Sequence, residues 1–360
     1  RIAAMEGGVA GLALASGQAA SNFAILNLCR AGDNFVCSTG IYGGTWNLFA
    51  NTLKDLGIEC RFVDPSDPEN FRKATDAKTR CYYGETLANP QLNVFPIKEV
   101  ADIGRELGVP LIMDNTAAPM ICRPLEHGAA VVIYSTTKYI GGHGTSIGGM
   151  VVDGGNFDWE AGGDRFPTLN QPDPSYHGAV WTEAVKPLGP IAYILRIRVI
   201  LLRDMGSAMS PMNAFQFIQG LETLALRMPV HCENANKVAA FLKAHDKVSS
   251  VIHPSQQSGE PRRRADAYLD GGFGGLVGFE LKGGKDAGRR FIDGLELLYH
   301  VANIGDARSL AIHPASTTHS QLSAEDQVAA GATPGYVRLS VGIEHIDDIL
   351  ADLTQALDKA

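Results

Sequence analysis

The chain has 360 residues, room for about two domains at roughly 150 residues each. Hydrophobic residues at 45% and charged residues at 19% match ordinary globular usage, so disordered, collagen-like and coiled-coil architectures are excluded. A net charge of -8 leaves no basic excess to neutralise phosphates and argues against a general nucleic-acid binder, while the 40 glycines stand well above the average of about 7%.

In chain order, the first half alternates short apolar runs with longer amphipathic stretches, the rhythm of βα units. Leu12 to Leu14 reads as a strand, followed by Ser16-Gly17 and a helical pattern through Ala19, Phe23, Leu26 and Leu28. Phe35 to Cys37 reads as a second strand, followed by Tyr42-Gly43-Gly44 and a helix through Leu53. Further strands are expected at Cys60 to Val63, Arg80 to Tyr83, Pro110 to Met113, Val131 to Tyr134 and Gly148 to Val152. Such alternation implies a mostly parallel sheet covered on both faces. A polar, Pro-bearing stretch from Asn156 to His177 reads as a functional or interfacial loop, and a helix is expected from about Leu188 to Arg203. From Cys232 the pattern becomes helix, strand, strand, helix, with strands near Gly275 to Leu281 and Val337 to Val341 and a closing helix from His345. That is a second, smaller α/β unit.

Cys29, Cys37, Cys60, Cys81, Cys122 and Cys232 show no CxxC pair and no zinc spacing, so they read as buried, reduced thiols of a cytoplasmic protein, and no metal site is expected. The most apolar helical stretch, Ile191 to Leu202, is interrupted by Arg196 and Arg198 and falls short of a membrane span. Arg1 to Glu6 carries no charged region followed by an apolar core, so no secretory signal is expected.

Four features stand at predicted strand ends, where open α/β sheets place their ligands. Ser16-Gly17-Gln18-Ala19 is a strand-to-helix turn suited to a phosphate, or simply a helix cap. No P-loop and no GxGxxG accompanies it, which removes support for nucleotide hydrolysis and dinucleotide binding. Asp114 ends a buried strand, where a carboxylate serves either as a turn cap or as partner to a protonated ring nitrogen. Ser135-Thr136-Thr137-Lys138-Tyr139 leads into Gly141-Gly142-His143-Gly144; a lysine there, beside hydroxyls and glycines, fits a Schiff-base lysine next to a phosphate site. Tyr42, on the loop after the second strand, is placed to stack on a cofactor ring or to fill a core.

The ordered set Ser16-Gly17-Gln18-Ala19, Tyr42-Gly43-Gly44-Thr45, Glu85-x-x-x-Asn89-Pro90, Asp114-Asn115-Thr116 and Ser135-x-Thr137-Lys138-Tyr139 resembles the Cys/Met-metabolism family of pyridoxal-phosphate enzymes over essentially the whole chain. Lys138 to Gly144, Arg165-Phe166-Pro167, Pro172 to Gly178 and His313 to Ser320 resemble its O-acetylhomoserine sulfhydrylase branch, and Gly144-Thr145 stands where the cystathionine enzymes carry Ser-Asp. The resemblance implies the aspartate-aminotransferase type I fold, with a cofactor-binding large domain over 1–225 and a small domain over 226–360. In the family this region is preceded by a segment whose Tyr and Arg reach the phosphate in a neighbouring subunit; the sequence starts inside that region, so on this resemblance it either omits an N-terminal part or belongs to a truncated form. It implies pyridoxal 5'-phosphate as cofactor, with Lys138 and Tyr42 catalytic and Lys138 in Schiff-base linkage. Asp114 would meet the ring nitrogen, Tyr42 would stack on the ring, and Gly17, Gln18, Ser135 and Thr137 would hold the phosphate. Asn89, Ser309 and Arg338 would orient the substrate. The implied reaction is γ-replacement of O-acetyl-L-homoserine by sulfide, giving L-homocysteine and acetate in methionine biosynthesis, in a homotetramer with shared sites. A γ-lyase, an O-succinylhomoserine sulfhydrylase and a non-catalytic homologue remain open at this level, and His143, His313 and His319 are given no role.

Overall fold

The computed structural model describes every residue except 89–90, 318–319, 321–322, 324 and 326–332. Strands β1 (Ala10–Leu14), β2 (Asn34–Ser38), β3 (Glu59–Val63), β4 (Thr79–Glu85), β5 (Leu111–Asp114), β6 (Val131–Ser135) and β7 (Gly149–Asp153) form one seven-stranded sheet in the order β1-β7-β6-β5-β4-β2-β3. Strand β7 runs antiparallel to β1 and β6, and the remaining pairings are parallel. The carboxyl ends of the parallel strands therefore open on one edge, the place where such sheets bind ligands.

Period-2 alternation divides the strand residues between two cores. Tyr82, Met113, Val132 and Tyr134 join Ile2, Val100 and Cys122 on one face. Cys81, Tyr83, Ile112 and Ile133 join Ala20, Phe23 and Ala24 of helix α2 (Gly17–Leu26) on the other. Burial on both faces accounts for the near-continuous apolar runs in the sequence. Short helix α1 (Ile2–Glu6) docks on the first face, with Ile2 and Glu6 buried.

A five-stranded sheet follows, in the order β10-β11-β12-β9-β8: β8 (Val248–Ile252), β9 (Leu276–Leu281), β10 (Tyr299–His300), β11 (Leu310–Ile312) and β12 (Tyr336–Ser340). Three of these, β8, β10 and β11, were not foreseen, because β8 carries two exposed serines, β10 has two residues and β11 has three. The helix expected from Cys232 belongs to the 34-residue helix Pro211–Ala244. Its portion through Cys232 packs Phe217, Leu224, Met228 and Cys232 into the large-sheet core, and the remainder packs Ala235, Val238, Ala239 and Leu242 into the small-sheet core. One helix serving two cores has no single apolar stripe, which hid its length. The expected division after residue 225 falls inside it. The helix expected from Leu188 begins at Ala192, because Gly189, at φ 99°, and Pro190 break the backbone first. The stretch from Asn156 to His177 contains short helical turns at Gly163–Arg165, Pro167–Asn170 and Pro174–Tyr176, two of them opened by proline.

The first turn of α2 lies against β7. A Cβ at Gly149 would come within 2.0 Å of Ser16 O and 2.9 Å of Gly17 N, so only glycine admits the approach. Gly149→Ala is expected to displace the Ser16-Gly17 turn and to cost about 1–3 kcal/mol, read by urea denaturation at neutral pH; an unchanged midpoint would refute the requirement.

Candidate active site

Ser16 caps α2: its Oγ accepts from Ala19 N–H at 3.0 Å and its carbonyl from Ala20 N–H at 3.1 Å. Helix geometry leaves the Gly17 and Gln18 N–H groups without intrahelical acceptors, at the positive end of the helix dipole. Gly17 abuts the end of β6, where a Cβ would meet that of Ser135 at 2.7 Å. Beyond β6 the chain turns sharply. Thr136 N–H donates to Gly148 O at 3.0 Å, and Thr137 Oγ1 accepts from Gly148 N–H at 3.1 Å. That turn sets Ser135, Thr137 and Lys138 on one cavity wall with Gly17 and Gln18, a set suited to an anion.

Asp114 lines the same cavity, of about 270 Å³, from the end of β5. Its Oδ1 accepts from Thr116 N–H at 2.9 Å. Burial raises its pKa, and hydrogen bonds from Thr116 and Tyr83 work against the rise. Among the described residues these hydrogen-bond partners are neutral. Thr116 Oγ1 accepts from Ser135 N–H at 2.8 Å, and the Tyr83 hydroxyl lies 3.1 Å from Ser21 Oγ, so β4, β5, β6 and α2 are tied together around the carboxylate. Tyr42 overhangs the opening, 54% exposed, its N–H donating to Glu85 Oε1 at 2.6 Å. The Thr45 hydroxyl donates to Gln18 Oε1 at 3.2 Å and ties the Tyr42 loop to α2.

Lys138 and Arg338, the latter on β12, bring two cationic groups into this space. Lys138 Nζ donates to Asn303 Oδ1 at 2.5 Å, and Arg338 Nη2 donates to Asn303 O at 3.2 Å. Burial, aided by the positive charge of Arg338, lowers the Lys138 pKa to about 8. Apolar walls at Leu87, Ala117 and Ile304 sustain that desolvation. The amine thus loses its proton at a lower pH than a free lysine, with its midpoint near pH 8.

A family model for Cys/Met metabolism PLP-dependent enzymes matches residues 1–358. The chain belongs to that family. It is 54% identical to the O-acetyl-L-homoserine sulfhydrylase of Leptospira meyeri, over 99% of this chain and 82% of the relative. It is 45% identical to the homocysteine synthase of Schizosaccharomyces pombe, over 100% of this chain and 84% of the relative. Among solved structures, a putative O-acetylhomoserine (thiol)-lyase from Campylobacter jejuni, carrying a pyridoxyl-lysine monophosphate, superposes with a TM-score of 0.92 at 41% identity. The match covers 99% of this chain and 84% of that one.

Pyridoxal phosphate, the cofactor of this family, presents a phosphate, a ring nitrogen and an aldehyde. The cavity presents helix N–H groups beside two hydroxyls, a buried carboxylate whose hydrogen-bond partners are neutral, and an amine with a lowered pKa. The residues present fit the cofactor. Gly17, Gln18, Tyr42, Asp114, Ser135, Thr137, Lys138 and Arg338, all singled out from sequence, share this one cavity. Ser309 does not line it: its hydroxyl donates to Glu344 Oε2 at 2.8 Å and accepts from Gly342 N–H at 2.8 Å. Asn89 and His319 lie outside the described residues. His143 Nδ1 is bonded to Gly141 O at 2.8 Å, beside a second cavity. His313 is buried between Ser316 Oγ and Pro334 O. Among the described residues no cluster of His, Cys, Asp or Glu is arranged to hold a metal.

Sequence reasoning missed Asn303, Thr116, Tyr83 and Ser21. Thr116 stood two residues from Asp114, inside the motif Asp114-Asn115-Thr116, but was given no role; Asn303 lies 165 positions from Lys138 and carried no local signal. In the protein freed of cofactor, competitive amine labelling of Lys138 read by mass spectrometry is expected to show a midpoint near pH 8, with the amine charged below and neutral above it. Arg338→Gln should move that midpoint upward by removing a neighbouring positive charge.

Proposed function

We propose that the chain catalyses γ-replacement, converting O-acetyl-L-homoserine and sulfide to L-homocysteine and acetate. The observation that carries the reading is the meeting of Lys138, with its depressed pKa, and Arg338 in one cavity with Asp114 and the α2 N-terminus. The activity named for the Leptospira meyeri and Schizosaccharomyces pombe relatives supports it.

In this reading the Gly17 and Gln18 N–H groups and the Ser135 and Thr137 hydroxyls hold the cofactor phosphate, Asp114 pairs with the ring nitrogen, and Tyr42 covers the ring. When bound, pyridoxal phosphate supplies an electron sink for negative charge developing next to the substrate amino group. Arg338 takes the substrate α-carboxylate, for which a planar guanidinium offers a bidentate fork; its bond to Asn303 O fixes the orientation of that fork. Lys138 Nζ, whose neutral form the lowered pKa of about 8 makes more accessible than in a free lysine, accepts the proton from Cα and serves the proton transfers at Cβ. Acetate leaves Cγ with the C–O electron pair, hydrosulfide forms the new C–S bond at Cγ, and the protons removed are returned. Asn303 Oδ1 receives the Lys138 amine between these transfers. Assembly of several copies belongs to the same proposal: Met212, Phe215, Ile218 and Leu226 stand exposed on helix Pro211–Ala244, an apolar surface suited to contact another copy.

Purified protein given pyridoxal phosphate, O-acetyl-L-homoserine and sulfide is expected to yield homocysteine and acetate by mass spectrometry. Accumulation of 2-oxobutyrate in place of homocysteine would instead identify a γ-lyase. Lys138→Ala should lower turnover by about 10²–10⁴-fold through lost proton transfer. Arg338→Lys should raise KM for the amino acid more than it lowers kcat, because the bidentate fork is lost while the charge is kept.

A further inference from the structure

Behind the cavity lies a carboxyl group that none of the steps above uses. Glu6 ends α1 and is fully enclosed, at 0% exposure. Its Oε1 accepts from the Tyr134 hydroxyl and, at 3.4 Å, from Asn115 Nδ2. Asn115 Nδ2 also donates to the Tyr134 hydroxyl at 2.8 Å and to Cys122 O at 2.9 Å.

The position of this cluster follows from strand geometry. Successive strand residues face opposite sides of a sheet. Asp114 and Ser135 line the cavity on one side. Their chain neighbours Asn115 and Tyr134 meet on the other, where Tyr134 belongs to the core that contains Ile2 and Cys122. Asn115 N–H continues the ladder to Ile133 O at 3.0 Å, so Asn115 moves with β5 and β6 together. Each cavity residue is thus one peptide unit away from a residue held by Glu6.

We propose that Glu6 is a positioning residue for the cofactor site: from the far face of the sheet its carboxyl group clamps Asn115 and Tyr134, and so fixes Asp114 and Ser135 on the cavity side. The proposal rests on the reading of the cavity as the cofactor site. Glu6 Oε2 and Asn115 Oδ1 are buried without hydrogen-bond partners among the described residues, and a proton on Glu6 converts one of these two acceptors into a donor. Burial favours that proton and raises the Glu6 pKa to about 7. Tyr134, Asn115 and Arg123 favour the carboxylate, Glu126 opposes it, and the Cys122 thiol also faces the group.

The test compares pyridoxal phosphate dissociation constants, by visible absorbance, for the parent, Glu6→Gln and Glu6→Ala. Apoenzyme Tm is measured alongside. Glu6→Gln keeps an acceptor for Tyr134 and adds the donor that the neutral acid supplies, so it should bind within about threefold of the parent. Glu6→Ala should weaken binding at least about tenfold, the scale on which outer hydrogen bonds orient binding groups. Leu353→Ala, in the small-sheet core, controls for general destabilisation; at a comparable loss of Tm it should leave the constant unchanged. Should Glu6→Ala not fold, Tyr134→Phe removes only the hydroxyl that Glu6 holds and should weaken binding about three- to tenfold. Parental affinity in Glu6→Ala, or in Tyr134→Phe where Glu6→Ala does not fold, would overturn the proposal, as would an equal loss in Leu353→Ala. A parent that bound no cofactor would instead overturn the reading of the cavity itself.

Discussion

The close approach of the α2 N-terminus to the ends of β6 and β7 is the constraint on which the rest of the site depends. Helix N–H groups attract an anion only within the first turn, so the helix must start where the other ligand-facing groups emerge. Gly17 and Gly149 permit this, since a Cβ on either would collide with Ser135 or with the Ser16 backbone. Parallel strand direction does the rest, because it delivers Glu85, Asp114 and Ser135 to the same edge as the Ser16 cap. Register makes this concrete: Glu85 on β4 sits beside Asp114 on β5, and Asp114 sits beside Ile133, two residues before Ser135.

That geometry sets the electrostatics. The cavity holds Asp114, Lys138 and Arg338, and burial opposes the charged form of all three. Within a protein, charge is tolerated where it is paired or hydrogen-bonded. Asp114 is hydrogen-bonded by neutral hydroxyls and an amide, which stabilise an anion and leave a cationic ligand room to add to them. Lys138 relieves part of its cost by losing its proton at a lower pH than a free lysine does. The arginine cannot do this in the ordinary pH range, and so it is the one of the two cations suited to a permanent anionic partner.

Much of this was legible in the sequence because its causes are local. Lys138 follows a β-rich run and two hydroxyls, Asp114 follows Leu111-Ile112-Met113, and Ser16 precedes a helical pattern; each signal lies within a few residues. The missed parts depend on contacts across the chain. Asn303 meets Lys138 through an unforeseen segment between β10 and β11, and Glu6 meets Tyr134 across 128 positions. Ser309 sits close to the site in sequence pattern, but the Glu344 carboxylate captures both its backbone N–H and its hydroxyl, and so directs it into the structure of the small sheet. The glycine excess separates in the same way. Gly17 is needed for close approach at the cavity. Gly142, by contrast, gives way to the Arg227 guanidinium, which a Cβ would meet at 2.5 Å, and Gly141 gives way to Phe217. Both admit close packing beneath the lysine loop.

The segment between β10 and β12 also explains why a second sheet belongs to the site at all. Gly305 packs so tightly on the lysine loop that a Cβ there would meet Tyr139 N at 2.6 Å. Ala307 N–H donates to Gly142 O at 2.8 Å, and Gly305 N–H donates to Ser340 Oγ on β12 at 2.8 Å. Asn303, two residues before Gly305, then spans the gap with its side chain on Lys138 and its carbonyl on Arg338. The large sheet supplies the anion-binding turn and the carboxylate; the small sheet supplies the guanidinium and sets its distance from the amine. A shift of the small sheet would move Arg338 and Asn303 together relative to Lys138, altering both the cationic field that lowers the lysine pKa and the acceptor that holds its amine. The proton affinity of Lys138 is therefore a property of how the two sheets are docked, and not of the lysine loop alone.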